Sequence, residues 1–424
     1  MSFLRNIRYA ILSKYNRIIP KDPKSILFMP HPNCLKDGYD ILNGQSDNVL
    51  CLFNSIVHDS RFNGFHLYVL FYHADRLPEY IEYCKQFPNI KVSFVLYGNR
   101  KQLFDAVAHC YTIFTATDCT HVFYRTSTQR IVCLNYYGGI FKSEFHRWEK
   151  HGGFKKVISK FNEMYKLFDN IISLSELNSK LFTADLCHYY PHFLPFGFPR
   201  NDIFFQDMSN FRKQVEEAIG FSFKRIITYV PTHRDYENHN REAYDENLKK
   251  PRSIWGHVGN DELIALEKAL AETDTIIIAK VHPIQKTETS VISYENSKHI
   301  IFYNDLIKKV KTSLNPIMAI SDSIITDYTS AVFDFLYTDR PIIYYFYDIE
   351  LYRKTRGFFI EPIEAICAGH FTYGIDDLQK AIREVAAGSD PQKEKRHFLQ
   401  QLLIKFRDGN SSERIKNHFF PSLK

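Results

Sequence analysis

The sequence predicts an α/β fold of two domains, each built on a parallel sheet. Its 424 residues exceed what one hydrophobic core ordinarily organises. Short apolar runs of strand length alternate with amphipathic runs of helix length, the pattern of strands joined by crossover helices. The alternation pauses near residues 200–210 and then restarts, which puts a domain junction there. The expected division is 1–205, 206–390, and a helical tail 391–424 that crosses back to the first domain.

The chain opens on "MSFLRNIRYAILSKYNRII", where Leu4, Ile7, Ile11, Tyr15 and Ile18 recur at helical spacing. Arg5, Arg8, Lys14 and Arg17 lie mostly off that stripe. Such a helix suits either an anionic membrane surface or packing against the first domain. Strands are expected at "KSILFMP" (24–30), "FHLYVLFY" (65–72), "IKVSFVLYG" (90–98), "YTIFTAT" (111–117) and "QRIVCLNYY" (129–137). Helical stretches such as "RLPEYIEYCKQF" and "RKQLFDAVAHC" lie between them. After "FGFPRNDIFF" (196–205) and the helix "MSNFRKQVEEAIG", a second series begins. Its strands are "KRIITYVP" (224–231), "DTIIIAKVHP" (274–283), "HIIFYN" (299–304), "SIITD" (323–327) and "RPIIYYFY" (340–347). The polar stretch 233–262 reads as an excursion loop, either a functional flap or a tolerated insertion.

Composition narrows the function. A 45% hydrophobic fraction supports a packed core rather than disorder. Lys and Arg number 54 against 48 Asp and Glu, a net charge of +6 that suits an anionic substrate or membrane surface and argues against a nucleic-acid partner. The eight cysteines are scattered without a Cys-x-x-Cys pair, which argues against a zinc ribbon or a disulfide framework. No apolar run reaches the ~18 residues that span a bilayer, and no secretory h-region is visible. The expected location is therefore cytoplasmic, with peripheral contact at the inner face of the membrane.

Four polar clusters follow strands and carry the chemistry. In "YVPTHRD" (229–235), Pro231 stops a strand and Thr232, His233, Arg234 and Asp235 emerge; Arg234 offers a planar fork of donors to a phosphate, or pairs with Asp235 in a surface turn. In "AKVHP" (279–283), His282 stands at a strand end, placed to donate to phosphate oxygens or protonate a leaving group. In "IITDYTSAVFDF" (324–335), Asp327 ends a strand and Thr329 or Ser330 is placed to cap the following helix, whose N–H groups with added hydroxyls would form a phosphate site. Capping alone needs one hydroxyl, not four consecutive polar side chains. In "GFPRND" (197–202), Gly197 and Pro199 fit a tight turn, with Arg200 and Asp202 expected to brace the two domains. Walker A, Gly-x-Gly-x-x-Gly and His-Glu-x-x-His patterns are absent. His188 and His192 flank Pro191 with no cysteine pair nearby, so no metal site is expected.

Taken in order, these clusters resemble the CDP-glycerol glycerophosphotransferase family that builds teichoic acids and related capsular polymers. The block 321–360 follows the family pattern without a gap, and the likeness covers roughly 110–360. The resemblance implies a GT-B-like fold, two Rossmann-like domains facing a central cleft. It implies transfer of a polyol phosphate from CDP-glycerol or CDP-ribitol to a hydroxyl of a lipid-linked acceptor, releasing CMP, with no tightly bound cofactor. His282, Thr232, Arg234, Asp327, Tyr328, Thr329 and Ser330 would handle the donor. One departure stands out: the family's Trp-His-Gly-x-Pro-Leu-Lys motif aligns with "YYGGIFK" (136–142). Tyr137 thus replaces the histidine taken as base, while Gly138 and Lys142 fit the acceptor-side pattern. A tyrosine, with an ordinary pKa near ~10, is a poor base at neutral pH. Three explanations follow: Tyr137 orients the acceptor, His31 in "MPHPN" takes the proton or serves as a second anion contact, or phosphoryl transfer needs little base assistance. Two rival readings remain at this level, a GT-B glycosyltransferase using a CMP-sugar or other nucleotide-sugar and a catalytically inactive binding partner.

Overall fold

The computed structural model describes residues 3–31, 47–72, 74–116, 125–134, 141, 166–185, 192–232, 254–256, 258–280 and 297–423. The chain divides into two compact units. The first comprises Met1–Tyr137, Lys155–Phe205 and Lys405–Lys424; the second comprises Gly138–Phe154 and Gln206–Ile404.

The first unit holds a seven-stranded parallel sheet: β1 (Asp22–Met29), β2 (His66–Phe71), β3 (Lys91–Leu96), β4 (Cys110–Thr115), β5 (Arg130–Cys133), β6 (Asn170–Ile172) and β7 (Phe193–Leu194). Their spatial order is β3-β2-β1-β4-β5-β6-β7. Ile26, Leu27 and Phe28 at its centre are fully buried, as expected of a strand covered on both faces. The second unit holds six strands: β8 (Arg225–Val230), β9 (Thr275–Ala279), β10 (Ile300–Phe302), β11 (Ser323–Thr326), β12 (Ile342–Tyr345) and β13 (His370–Thr372). Their order is β10-β9-β8-β11-β12-β13, all parallel. Both sheets start from an inner strand, wind outward one way, then return and wind the other way. That is the Rossmann-like topology expected.

Ten strands match the apolar runs in the sequence. The three others, β6, β7 and β13, are two or three residues long and lie toward one edge of each sheet.

The helical tail is broken in two. The helix Lys393–Leu403 packs in the second unit, where fully buried Arg396 bonds Asp339 at 3.1 Å and Asp390 at 2.6 Å. Beyond Gly409, which has φ +67, the helix Ser411–Phe419 packs in the first unit. There Phe419 meets Phe114 edge-on at 5.8 Å and Phe420 meets Phe62 at 5.2 Å.

The N-terminal helix, Phe3–Ile18, is anchored differently from the pattern of its apolar stripe. Leu12 packs on the core and fully buried Asn16 donates to Gln129 at 2.9 Å. Ile11, Tyr15 and Ile18, all on the stripe, are 50%, 60% and 77% exposed. A buried amide, not the stripe, holds the described part of the helix.

Candidate active site

In the second unit, β9, β8 and β11 are neighbours and run parallel, so they end at the same edge of the sheet. The three motif clusters leave from those ends: the chain continues from Ala279 into "KVHP", from Val230 into "PTHRD" and from Thr326 into "DYTS". Strand order reverses between β8 and β11, the switch point at which doubly wound sheets receive ligands.

Asp327 joins the two sides of that point. Both its carboxylate oxygens accept the Thr232 N–H, at 2.8 and 2.9 Å, and Oδ1 also accepts the Tyr328 N–H at 2.5 Å. Asp327 is 1% exposed and Thr232 is 4% exposed, so the clasp is shielded from water. Charge-assisted bonds of this kind hold loops in a fixed relation.

Tyr328 supports the loop rather than opening onto it. Its ring is fully buried, stacked on Tyr352 at 4.1 Å and parallel to Phe346 at 5.4 Å, and its hydroxyl donates to Asp348 at 3.2 Å.

Of the two residues expected to cap the next helix, Thr329 does so at the limit of hydrogen-bond distance and Ser330 does not. Ser330 stands at the N-cap of Ala331–Phe335 but has helical backbone angles and makes no side-chain capping bond. Thr329 Oγ1 accepts the Ala331 N–H only at 3.5 Å. The helix has five residues before a 3-10 turn, too few for a large dipole. Both residues are partly exposed, while Asp327 and Tyr328 are buried and anchor the loop.

In the first unit, the loop after β1 brings His31 to a buried polar pair. The His31 N–H donates to Asp47 Oδ2 at 2.8 Å. Asp47 Oδ1 accepts the Val49 and Leu50 N–H groups and caps the helix Asn48–Val57. Asn48 donates to the Leu134 carbonyl at 3.0 Å and accepts the Arg200 N–H at 3.2 Å. Asp47 and Asn48 fall outside the four polar clusters of the sequence. The available signal was "SDN" ahead of the apolar run "VLCLF", a helix-start pattern.

Within the "GFPRND" stretch, Asp202 forms a clasp inside the first unit. Asp202 Oδ1 and Oδ2 accept the Ser411 and Ser412 N–H groups, each at 2.9 Å, and so cap the C-terminal helix. Burial pushes the Asp202 carboxyl up, opposed by those same bonds. Gly197 has φ +83, and a Cβ there would stand 2.6 Å from Ser411 Oγ. The Arg200 guanidinium lies over the Phe198 ring at 5.2 Å.

Tyr137, Gly138, Lys142, Arg234 and His282 lie outside the described residues. Phe141, within the same motif as the first three, is described and belongs to the second unit. It is buried against Phe333 at 4.7 Å, and its carbonyl accepts the Phe359 N–H at 2.9 Å. Phe141, expected in the first domain, is thus held in the second unit by Phe333, from the helix that follows Thr329 and Ser330, and by Phe359.

The family model for CDP-glycerol:poly(glycerophosphate) glycerophosphotransferase matches residues 45–420. The chain belongs to that family.

Its curated relatives include the teichoic acid glycerol-phosphate primase of Bacillus subtilis (strain 168), 26% identical over 62% of this chain and 60% of that protein. The teichoic acid ribitol-phosphate primase of Bacillus spizizenii is 24% identical over 81% of this chain and 86% of that protein. The matches thus span less than two thirds of the first relative and most of the second. Among solved structures, the wall teichoic acid polymerase TagF superposes with a TM-score of 0.70 at 18% identity, covering 99% of this chain and 96% of that one. This agreement extends the GT-B-like class of the family member TagF to the fold of this chain.

Proposed function

We propose that this family member transfers glycerol phosphate or ribitol phosphate from a CDP-polyol to a hydroxyl of a glycan or polyol-phosphate acceptor carried on a lipid. The acceptor oxygen forms a bond to the β-phosphorus of the donor, the bond from that phosphorus to the bridging oxygen breaks, and CMP leaves. The acceptor proton passes to a base. The observation that supports this reading is the strand order β9-β8-β11, from whose ends the three polar clusters continue in the sequence, with Asp327 bonding Thr232 across the switch point. Thr232, Arg234, His282, Thr329 and Ser330 would hold the pyrophosphate and stabilise its charge as CMP departs. His31 is the proposed base, with Tyr137 orienting the acceptor and Gly138 and Lys142 completing the acceptor side.

The exposed Ile11, Tyr15 and Ile18, flanked by exposed Lys14 and Arg17, support peripheral contact of the N-terminal helix with an anionic lipid surface. No helix among the described residues is long and apolar enough to cross a membrane.

The deciding experiment is a donor screen scored by CMP release, with the acceptor supplied as a lipid extract. CDP-glycerol or CDP-ribitol should turn over. Release of CMP only from CMP-sugars would move the assignment to a sugar transferase, and no turnover with any donor would favour a binding protein.

A further inference from the structure

Asp47 and Asn48 stand at the edge where the central strands of the first unit end, and their side chains divide the work unusually. The Asp47 carboxylate is fully buried. Oδ1 caps a helix through Val49 and Leu50, at 2.6 and 3.0 Å, while Oδ2 is given to the His31 N–H at 2.8 Å. Capping requires only one oxygen, and a serine or threonine hydroxyl would supply it without burying a charge. The second oxygen therefore has a separate task. Burial pushes the Asp47 carboxyl up, while the three N–H bonds and the nearby His31 pull it down. Asn48, 2% exposed, spans two further loops: the Leu134 carbonyl, just after β5, and the Arg200 N–H of "GFPRND".

We infer that Asp47 and Asn48 form a positioning device for the acceptor half of the reaction, with Asp47 Oδ2 fixing the backbone of His31 and Asn48 tying the Leu134 carbonyl to the Arg200 N–H. The inference rests on the transfer reaction proposed above and adds the residues that set its geometry. Neither side chain needs to touch substrate. Their effect is on placement, and a 1 Å displacement of a reacting group costs about 100-fold in rate.

Asp47→Asn separates the two tasks. The retained oxygen can still cap the helix, whereas the amide NH2 presents a donor to the His31 N–H. The expected result is a cooperative unfolding transition with a modestly lower melting temperature, an unchanged KM for the CDP-polyol, and a kcat lower by about 100-fold. Asp47→Ser keeps a capping hydroxyl without the second oxygen and should behave alike. Asn48→Asp keeps the acceptor for Arg200, loses the donor to Leu134, and should also lower kcat at constant donor KM. Independently of turnover, hydrogen exchange at the His31 amide should accelerate about tenfold in Asp47→Asn, the loss of one buried bond of ~1.4 kcal/mol. Wild-type kcat in Asp47→Asn, or wild-type exchange at His31, would overturn the inference. Normal turnover in His31→Gln alongside a lost kcat in Asp47→Asn would refute the base assignment and leave the positioning intact. Were no donor turned over by the native chain, the proposed reaction would fall, and the exchange result alone would decide whether Asp47 holds the loop.

Discussion

Replacing Asp327 with alanine removes the acceptor for two buried N–H groups at once. Thr232 donates to both carboxylate oxygens, at 2.8 and 2.9 Å, and Tyr328 donates to one at 2.5 Å. A buried donor left unsatisfied costs about 1–3 kcal/mol, so two stranded donors should cost roughly 2–6 kcal/mol in stability. Asp327→Asn keeps one oxygen and should lose about half as much. The same change releases the loop bearing Thr329 and Ser330 from the loop after β8. If donor binding depends on that alignment, a loss of about 1.5–3 kcal/mol raises the KM for CDP-glycerol by about 10–100-fold. Urea unfolding followed by circular dichroism measures the first effect, read as a lower midpoint at constant slope. Initial rates of CMP release against CDP-glycerol concentration measure the second. An alanine variant that unfolds at the wild-type midpoint and retains the wild-type KM would refute the reasoning.

Other perturbations separate structural from functional roles. Gly197→Ala, at φ +83 and with its new Cβ 2.6 Å from Ser411 Oγ, should lower stability by about 1–3 kcal/mol in the same unfolding assay. Thr329→Ala and Ser330→Ala should leave stability within about 0.5 kcal/mol, since neither hydroxyl makes a close capping bond, yet should raise the donor KM. Asp59 is held well below the usual carboxylate range by its bonds to Arg61 and Lys416. Its stabilisation is therefore complete above the unfolded value of about 3.9 and lost as pH falls below it toward the folded value. Melting temperatures from pH 5 to pH 2 should fall less steeply in Asp59→Asn than in the native chain. Ile11→Asp combined with Ile18→Asp should abolish co-sedimentation with anionic vesicles while leaving CMP release onto a soluble acceptor unchanged.

Much of the second unit was legible in the chain itself. Ile226–Val230, Thr275–Ala279 and Ile342–Tyr345 are apolar over strand length because the sheet is covered on both faces, so burial writes itself into composition. The polar clusters were legible for the converse reason: hydroxyl and charged residues directly after such runs fall in loops, where ligands bind. The two-residue strand Phe193–Leu194 was not legible, having no period to read. Nor were the tasks of individual polar residues. A sequence cannot distinguish Asp202 capping a helix 209 positions away from Asp202 bracing two domains, because hydrogen-bond partners are chosen by the folded chain.

What the sequence determined alone was the α/β alternation, the restart near residue 205, and the polar chemistry gathered after the strands. Those follow from local rules of burial and turn formation, which act over a few residues. Tertiary structure decided which of those residues meet. It placed Asp327 beneath Thr232, turned Tyr328 into an aromatic stack, set Asp47 against His31, and pinned Phe141 on Phe333. Each of these contacts links positions 16 to 192 residues apart, and no local pattern encodes such pairings.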